Sequence, residues 1–122
     1  MSSLFLKNAN VIDVSTGNTS LQNIRIESGI IQEIGKNGIK DNSAKSIDLK
    51  GDFVMPGLCD AHVHVTAYTA DFARLKNTSP FYVGIKALEI LKGMLSRGFT
   101  TVRDAGGADW GLAKHISENP TS

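Results

Sequence analysis

Cysteine is almost absent: Cys59 is the single one among 122 residues. That excludes an internal disulfide framework and any Cys-x-x-Cys metal or redox motif, and a reducing compartment fits best. An excess of either charge is missing too, since 13 Lys and Arg stand against 12 Asp and Glu, a formal net charge of +1. Nothing in this balance steers the chain to nucleic acid or to an anionic membrane surface. No apolar run approaches the roughly 20 residues of a membrane span. Leu4-Phe5-Leu6 is interrupted by Lys7 and Asn8 before it forms the core of a secretion signal. Internal repeats and low-complexity tracts are also lacking, and 41% hydrophobic against 20% charged residues excludes the composition of disorder. The expectation is a soluble, cytoplasmic, folded protein with neither a membrane nor a nucleic-acid partner.

What is present changes character near residue 56. Before it, the sequence is written in short strand-like pieces. Leu4-Phe5-Leu6 and Val11-Ile12 predict a strand or a pair of strands, closed by the turn formers Ser15-Thr16-Gly17-Asn18. Ile24 and Ile26 alternate with polar neighbours, and Ser28-Gly29 separates them from Ile30-Ile31-Gln32-Glu33-Ile34, which predicts a hairpin. Gly35 to Lys45 is polar and reads as loop, after which Ile47 and Leu49 resume the alternation. Residues 1–56 therefore predict a small antiparallel sheet.

Residues 57–122 predict alternating strands and helices. Pro80 to Arg97 reads as a helix: Ser79 can cap the free amides, Pro80 suits the first position, and Gly98 suits the end. Its apolar stripe is expected to be Phe81, Ile85, Leu88, Leu91 and Leu95. Phe99 to Arg103 is β-branched and aromatic and reads as the next strand. A second helix is expected from Asp109 to Ser117, with Trp110 in a packing role. A strand, a helix of this length and a strand form a βαβ unit with parallel strands.

The stretch that can carry chemistry is Met55-Pro56-Gly57-Leu58-Cys59-Asp60-Ala61-His62-Val63-His64-Val65. Side chains alternate along a strand, so Asp60, His62 and His64 are expected on one side, with Cys59, Ala61, Val63 and Val65 on the other. Two imidazoles on alternate residues can share one metal ion through neutral ring nitrogens. Burying such a pair with an aspartate for packing alone is costly, which favours ligation. Cys59 is expected to be a small buried filler, and His115 a surface or helix-end residue. Arg103 and Asp104 close the second parallel strand, where they are either an active-site edge or an ordinary ion-pairing element.

The segment Val54 to His64 resembles the start of the amidohydrolase superfamily, in which a small β-sandwich precedes a distorted (β/α)₈ barrel. Leu91-Lys92-Gly93-Met94-Leu95-Ser96-Arg97-Gly98-Phe99-Thr100-Thr101-Val102-Arg103-Asp104-Ala105-Gly106-Gly107 is similar to the second barrel strand and its approach in the imidazolonepropionase and Xaa-Pro dipeptidase-like branch. The resemblance implies a mixed α/β fold. Residues 1–56 would be the antiparallel β-sandwich portion and 57–122 the first two β/α units of a truncated barrel, since a full barrel takes about 250 residues.

The resemblance also implies that His62 and His64 hold a metal, zinc or another divalent transition ion, and that Asp60 accepts a ring N–H to fix a tautomer. Metal-activated water would hydrolyse an amide, peptide or cyclic amide bond. The family's remaining ligands and base lie on later strands with no counterpart here, so the isolated chain is expected to be inactive. A small amide or dipeptide would be the substrate of the completed enzyme. Partners are expected to be a second copy of the chain, in a homo-oligomer, or a complementing barrel fragment. The alternative reading is a non-catalytic oligomeric or metal-binding module derived from an amidohydrolase.

Overall fold

The computed structural model describes residues 3–36, 39 and 45–119. Much of the polar stretch assigned to loop between Gly35 and Lys45 lies outside the described residues, as do residues 120–122. The chain divides into two units, Met1–Pro56 and Gly57–Ser122.

In the first unit, β1 (Ser3–Ile12) is a single long strand with which three of the other strands pair. β2 (Thr19–Glu27) pairs with it antiparallel, and β3 (Ile30–Gly35) pairs antiparallel with β2. The β2–β3 hairpin turns at Ser28 and Gly29, with φ of 51° and 78°. Both central residues are left-handed, as the turn that matches strand twist requires. Where the sequence left one strand or two, Lys7 and Asn8 form an irregularity inside β1 instead. The register with β2 shifts between Leu6 and Ala9, and Asn8 has φ of 54°. The bulge is secured from both sides: the Asn8 backbone N–H donates to Asn23 Oδ1 at 3.0 Å, and Asn8 Nδ2 donates to Asp48 Oδ1 at 2.9 Å.

The expected antiparallel sheet is in fact mixed. β4 (Lys45–Asp48) and β5 (Phe53–Val54) both run parallel to β1, pairing with residues 4–7 and 10–11 respectively. The order β3-β2-β1-β4 carries the chain from one side of the sheet to the other. β4 thus runs in the direction of β1, which alternation of apolar residues alone does not encode. Among the described residues of this unit, Phe5, Ala9 and Ile24 are the buried apolar ones.

The second unit begins with β6 (Leu58–Val63) and continues through α1 (Phe72–Lys76), α2 (Pro80–Ser96), β7 (Phe99–Asp104) and α3 (Trp110–Glu118). β6 and β7 are parallel, and α2 packs on β7. The short α1, capped by Asp71 accepting from the Arg74 N–H at 2.9 Å, falls in what the sequence reads as one long loop. α2 starts at Pro80 as expected and ends at Ser96, one residue short of the expected Arg97, which caps it, and Gly98 follows at φ of 92°. Two expectations for α2 need correcting. Ser79 occupies the cap position but its hydroxyl makes no cap hydrogen bond. The buried residues are Ala87 and Met94, with Val83, Ile90 and Leu91 beside them half-buried, whereas Phe81, Ile85 and Leu95 are exposed. α2 is apolar on more than one side, so periodicity alone selects no unique buried face. Asp109 caps α3 through the N–H groups of Gly111 and Leu112, and Trp110 is exposed rather than packed. Among the described residues no helix is long and apolar enough to cross a membrane.

Candidate metal centre

β6 delivers His62 directly, and His64 follows one residue beyond its end. Their rings lie edge to face, centroids 5.2 Å apart and planes at 76°. Both side chains are exposed. The path between them is not a regular strand. Asp60 pairs with Val102 and Val63 with Asp104, so β6 spends one more residue than β7 over this interval. The Arg103 Nε donates to the Ala61 carbonyl at this irregularity, at 2.7 Å. Arg103 thereby braces β6 from the neighbouring strand.

Asp60 Oδ1 accepts the His62 backbone N–H at 3.1 Å. The aspartate expected to hold a ring nitrogen instead holds the main chain of the next strand position. The ring acceptor is a different group: His64 Nδ1 lies 2.8 Å from the Gly106 carbonyl oxygen. A carbonyl only accepts, so Nδ1 carries the proton, and in the neutral ring the lone pair is left on Nε2. This is the arrangement that presents an imidazole to a metal with its tautomer fixed from behind.

The Gly106 carbonyl is itself placed by Asp104, at the end of β7. Asp104 Oδ2 accepts the Val65 N–H at 2.9 Å, and Oδ1 accepts the N–H groups of Gly106 at 2.8 Å and Ala108 at 3.4 Å. Desolvation pushes the Asp104 carboxyl upward, but the backbone donors of Val65, Gly106 and Ala108, with the nearby His64, outweigh it and leave the carboxyl below its usual range. Gly107, with φ of 113°, takes a backbone conformation that side chains disfavour, and a Cβ there would collide with the Thr66 hydroxyl. The Asp104-Ala105-Gly106-Gly107 run was the signal for this loop in the sequence: an aspartate at a strand end followed by two glycines.

Cys59 is exposed, contrary to its expected role as buried filler. It stands near the start of β6, while the helix that packs on the sheet, α2, lies on β7. Val63 is half-buried and Val65 buried, so the apolar side of the strand is covered only toward its end. His115 is exposed in the last turn of α3.

Zinc sites take four ligands in structural centres, or three and an open position in catalytic ones. His62 and His64 fit as two nitrogen donors of such a set. Among the described residues no third His, Cys, Asp or Glu joins them.

No family model matches the chain. A dihydroorotase from Elusimicrobium minutum is 40% identical over 97 residues, covering 80% of this chain and 20% of that protein. Among solved structures, a prolidase complexed with N-methylphosphonate-L-proline matches 99% of this chain and 30% of its own, at 36% identity and a TM-score of 0.91. A crystal structure of an amidohydrolase matches 98% of this chain and 29% of its own, at 36% identity and a TM-score of 0.92. The chain thus spans about a fifth to three tenths of the length of these relatives. In sequence and in fold it belongs to the amidohydrolase superfamily, where it corresponds to the N-terminal part of much longer proteins.

Proposed function

We propose that this chain carries the first metal-binding strand of a hydrolase of C–N bonds, and that catalysis requires further barrel strands from outside these 122 residues. The observation that carries the reading is the His62 and His64 pair, 5.2 Å apart, with His64 Nδ1 already engaged by a backbone carbonyl. Two imidazoles, one with its tautomer fixed, are suited to a divalent transition metal, zinc first. When bound, such an ion supplies Lewis acidity that acidifies water and polarises a carbonyl oxygen.

His62 and His64 would hold the ion. Asp60 and Arg103 keep the main chain of β6 in place around His62, by accepting its N–H and by bracing the Ala61 carbonyl. The base that moves the proton of water would stand on further strands. A groove of about 570 Å³, lined in part by Leu88, Leu91, Leu95, Val102, Leu112 and Ile116, supports completion by other strands. Additional strands and helices of a barrel would cover that apolar surface. Small amides or dipeptides are the proposed substrates of the completed site, since one relative is named a prolidase and another a dihydroorotase.

The test is calorimetric zinc titration of the parent chain and of His62→Ala and His64→Ala, since two imidazoles alone hold an ion too weakly to keep it through dialysis. Saturation at one zinc per chain, with weaker binding in either variant, is expected. Saturation at half a zinc per chain, with dimers in sedimentation, would favour instead a non-catalytic module with four imidazoles around a shared ion. No binding of zinc, nickel or copper by the parent overturns both readings.

A further inference from the structure

Around His64, three separate attachments converge on one short piece of chain. Its carbonyl accepts the Ala67 N–H at 3.0 Å. The next amide, of Val65, is held by Asp104 Oδ2 at 2.9 Å. The ring is held by the Gly106 carbonyl at 2.8 Å, and the Gly106 N–H is held by Asp104 Oδ1, also at 2.8 Å. One carboxylate therefore ties the main chain behind the imidazole to the loop in front of it. Val65 is buried, at 3% exposure, so the tie is anchored in the packed part of the unit.

From this geometry we propose that Asp104 is a positioning residue for metal binding: by clamping the Val65 and Gly106 amides it sets the Gly106 carbonyl against His64 Nδ1 and so commits Nε2 to the ion. The inference rests on the metal-centre reading of His62 and His64 and adds the group that prepares one of the two rings. Hydrogen bonds to an ionised acceptor are stronger than neutral ones, so one carboxylate can order both segments. Neither Gly106 nor Gly107 has a side chain to fix the loop. Without Asp104 the Gly106 carbonyl is free to turn, and His64 can place its proton on either nitrogen. Asp60 does not share this role, because its Oδ1 takes the His62 main-chain N–H. The two histidines are thus prepared differently, which gives the test an internal reference.

The experiment is ¹⁵N NMR of the 122-residue chain labelled at histidine, metal-free and at mildly alkaline pH, for the parent and for Asp104→Asn. Asparagine keeps the size of the side chain but places an NH₂ group against backbone donors. The parent is expected to show His64 with a protonated Nδ1 and a bare Nε2. In Asp104→Asn the His64 tautomer is expected to mix or reverse while the His62 signals stay in place, and zinc affinity is expected to fall about 10- to 100-fold. Slow exchange of the Val65 and Gly106 amides in the parent is expected as well, a readout that stands even if the variant fails to fold. A parent His64 protonated on Nε2, unprotected Val65 and Gly106 amides, or an unchanged tautomer in a folded Asp104→Asn each overturns the proposal. A parent that binds no zinc but shows the tautomer shift overturns the metal reading and leaves the positioning of His64 by Asp104 supported.

Discussion

Gly57, immediately before β6, tests how the strand that carries the histidines is seated. A Cβ built on Gly57 would lie 2.7 Å from Thr100 Cβ and closer still to both outer atoms of that side chain. The crowding has a cause in the register. Leu58 pairs with Phe99 and Cys59 with Thr101, so Thr100 is an extra residue on β7, and its side chain occupies the space a side chain on Gly57 would need. Gly57→Ala must push β6 off this seat, at a cost of about 1–3 kcal/mol by the usual scale of overpacking. Thr100→Ala in the same background removes the outer atoms but leaves Cβ, so it relieves the strain only in part. Thr100→Gly removes all of it, against about 0.5–1 kcal/mol for placing glycine in a strand. The prediction is a non-additive cycle: the double variant Gly57→Ala/Thr100→Gly is more stable than the sum of its single changes by roughly 0.5–3 kcal/mol. Hydrogen exchange of the Leu58 amide, which donates to the Gly98 carbonyl at 2.8 Å, reads this locally. An additive cycle, or a Gly57→Ala chain as protected as the parent, would refute the reasoning.

Two predictions concern the first unit. Asp13 is drawn down from 3.8 to about 2, first by the Ser15 hydroxyl, then by the Thr16 hydroxyl and the Ser15 N–H. Because its folded value lies below the unfolded one, the turn gains its full support above pH 3.8 and loses it as pH falls through about 2. The Ser15 amide shift should titrate in that window, and Asp13→Asn should abolish the step. Phe5 is 3% exposed, so Phe5→Ala should cost about 3–5 kcal/mol in urea unfolding followed by circular dichroism; a loss below about 1 kcal/mol would place Phe5 outside the core that matters.

Several features of this fold are legible in single residues. Ser28-Gly29 marks the hairpin, Pro80 and Gly98 bracket α2, and Asp109 opens α3, because each acts on backbone torsion or on free amides within a few residues. The misreadings have a common origin in contacts distant along the chain. The parallel pairing of β4 and β5 with β1 depends on where the chain returns after β3. Cys59 fits an apolar position by alternation, yet α2 packs on β7 and leaves Cys59 exposed. The candidate site divides the same way. His62 and His64 are legible as a pair from their spacing, whereas the partner of the His64 ring is a main-chain carbonyl 42 residues away. A backbone acceptor carries no side-chain signature, so Asp60 looked the natural choice.

The distribution of apolar surface bears on what completes the proposed enzyme. Trp110 and Phe81 are 78% and 86% exposed, and Ile85 and Leu95 more than half. On α2, Phe81, Ile85 and Leu95 lie apart from the Ala87 and Met94 face that is already buried. Large exposed apolar residues in number mark surface that another element is shaped to bury. The solved relatives are more than three times the length of the part this chain matches. On the proposed reading, further strands and helices of a barrel would cover that surface. They would also account for the half-furnished site, because the elements needed to cover α2 and α3 are those on which the remaining ligands and the base would stand. On the proposed reading one complementing polypeptide would both bury this apolar surface and bring the missing ligands, so adding it should raise the unfolding midpoint and the zinc affinity of the chain together.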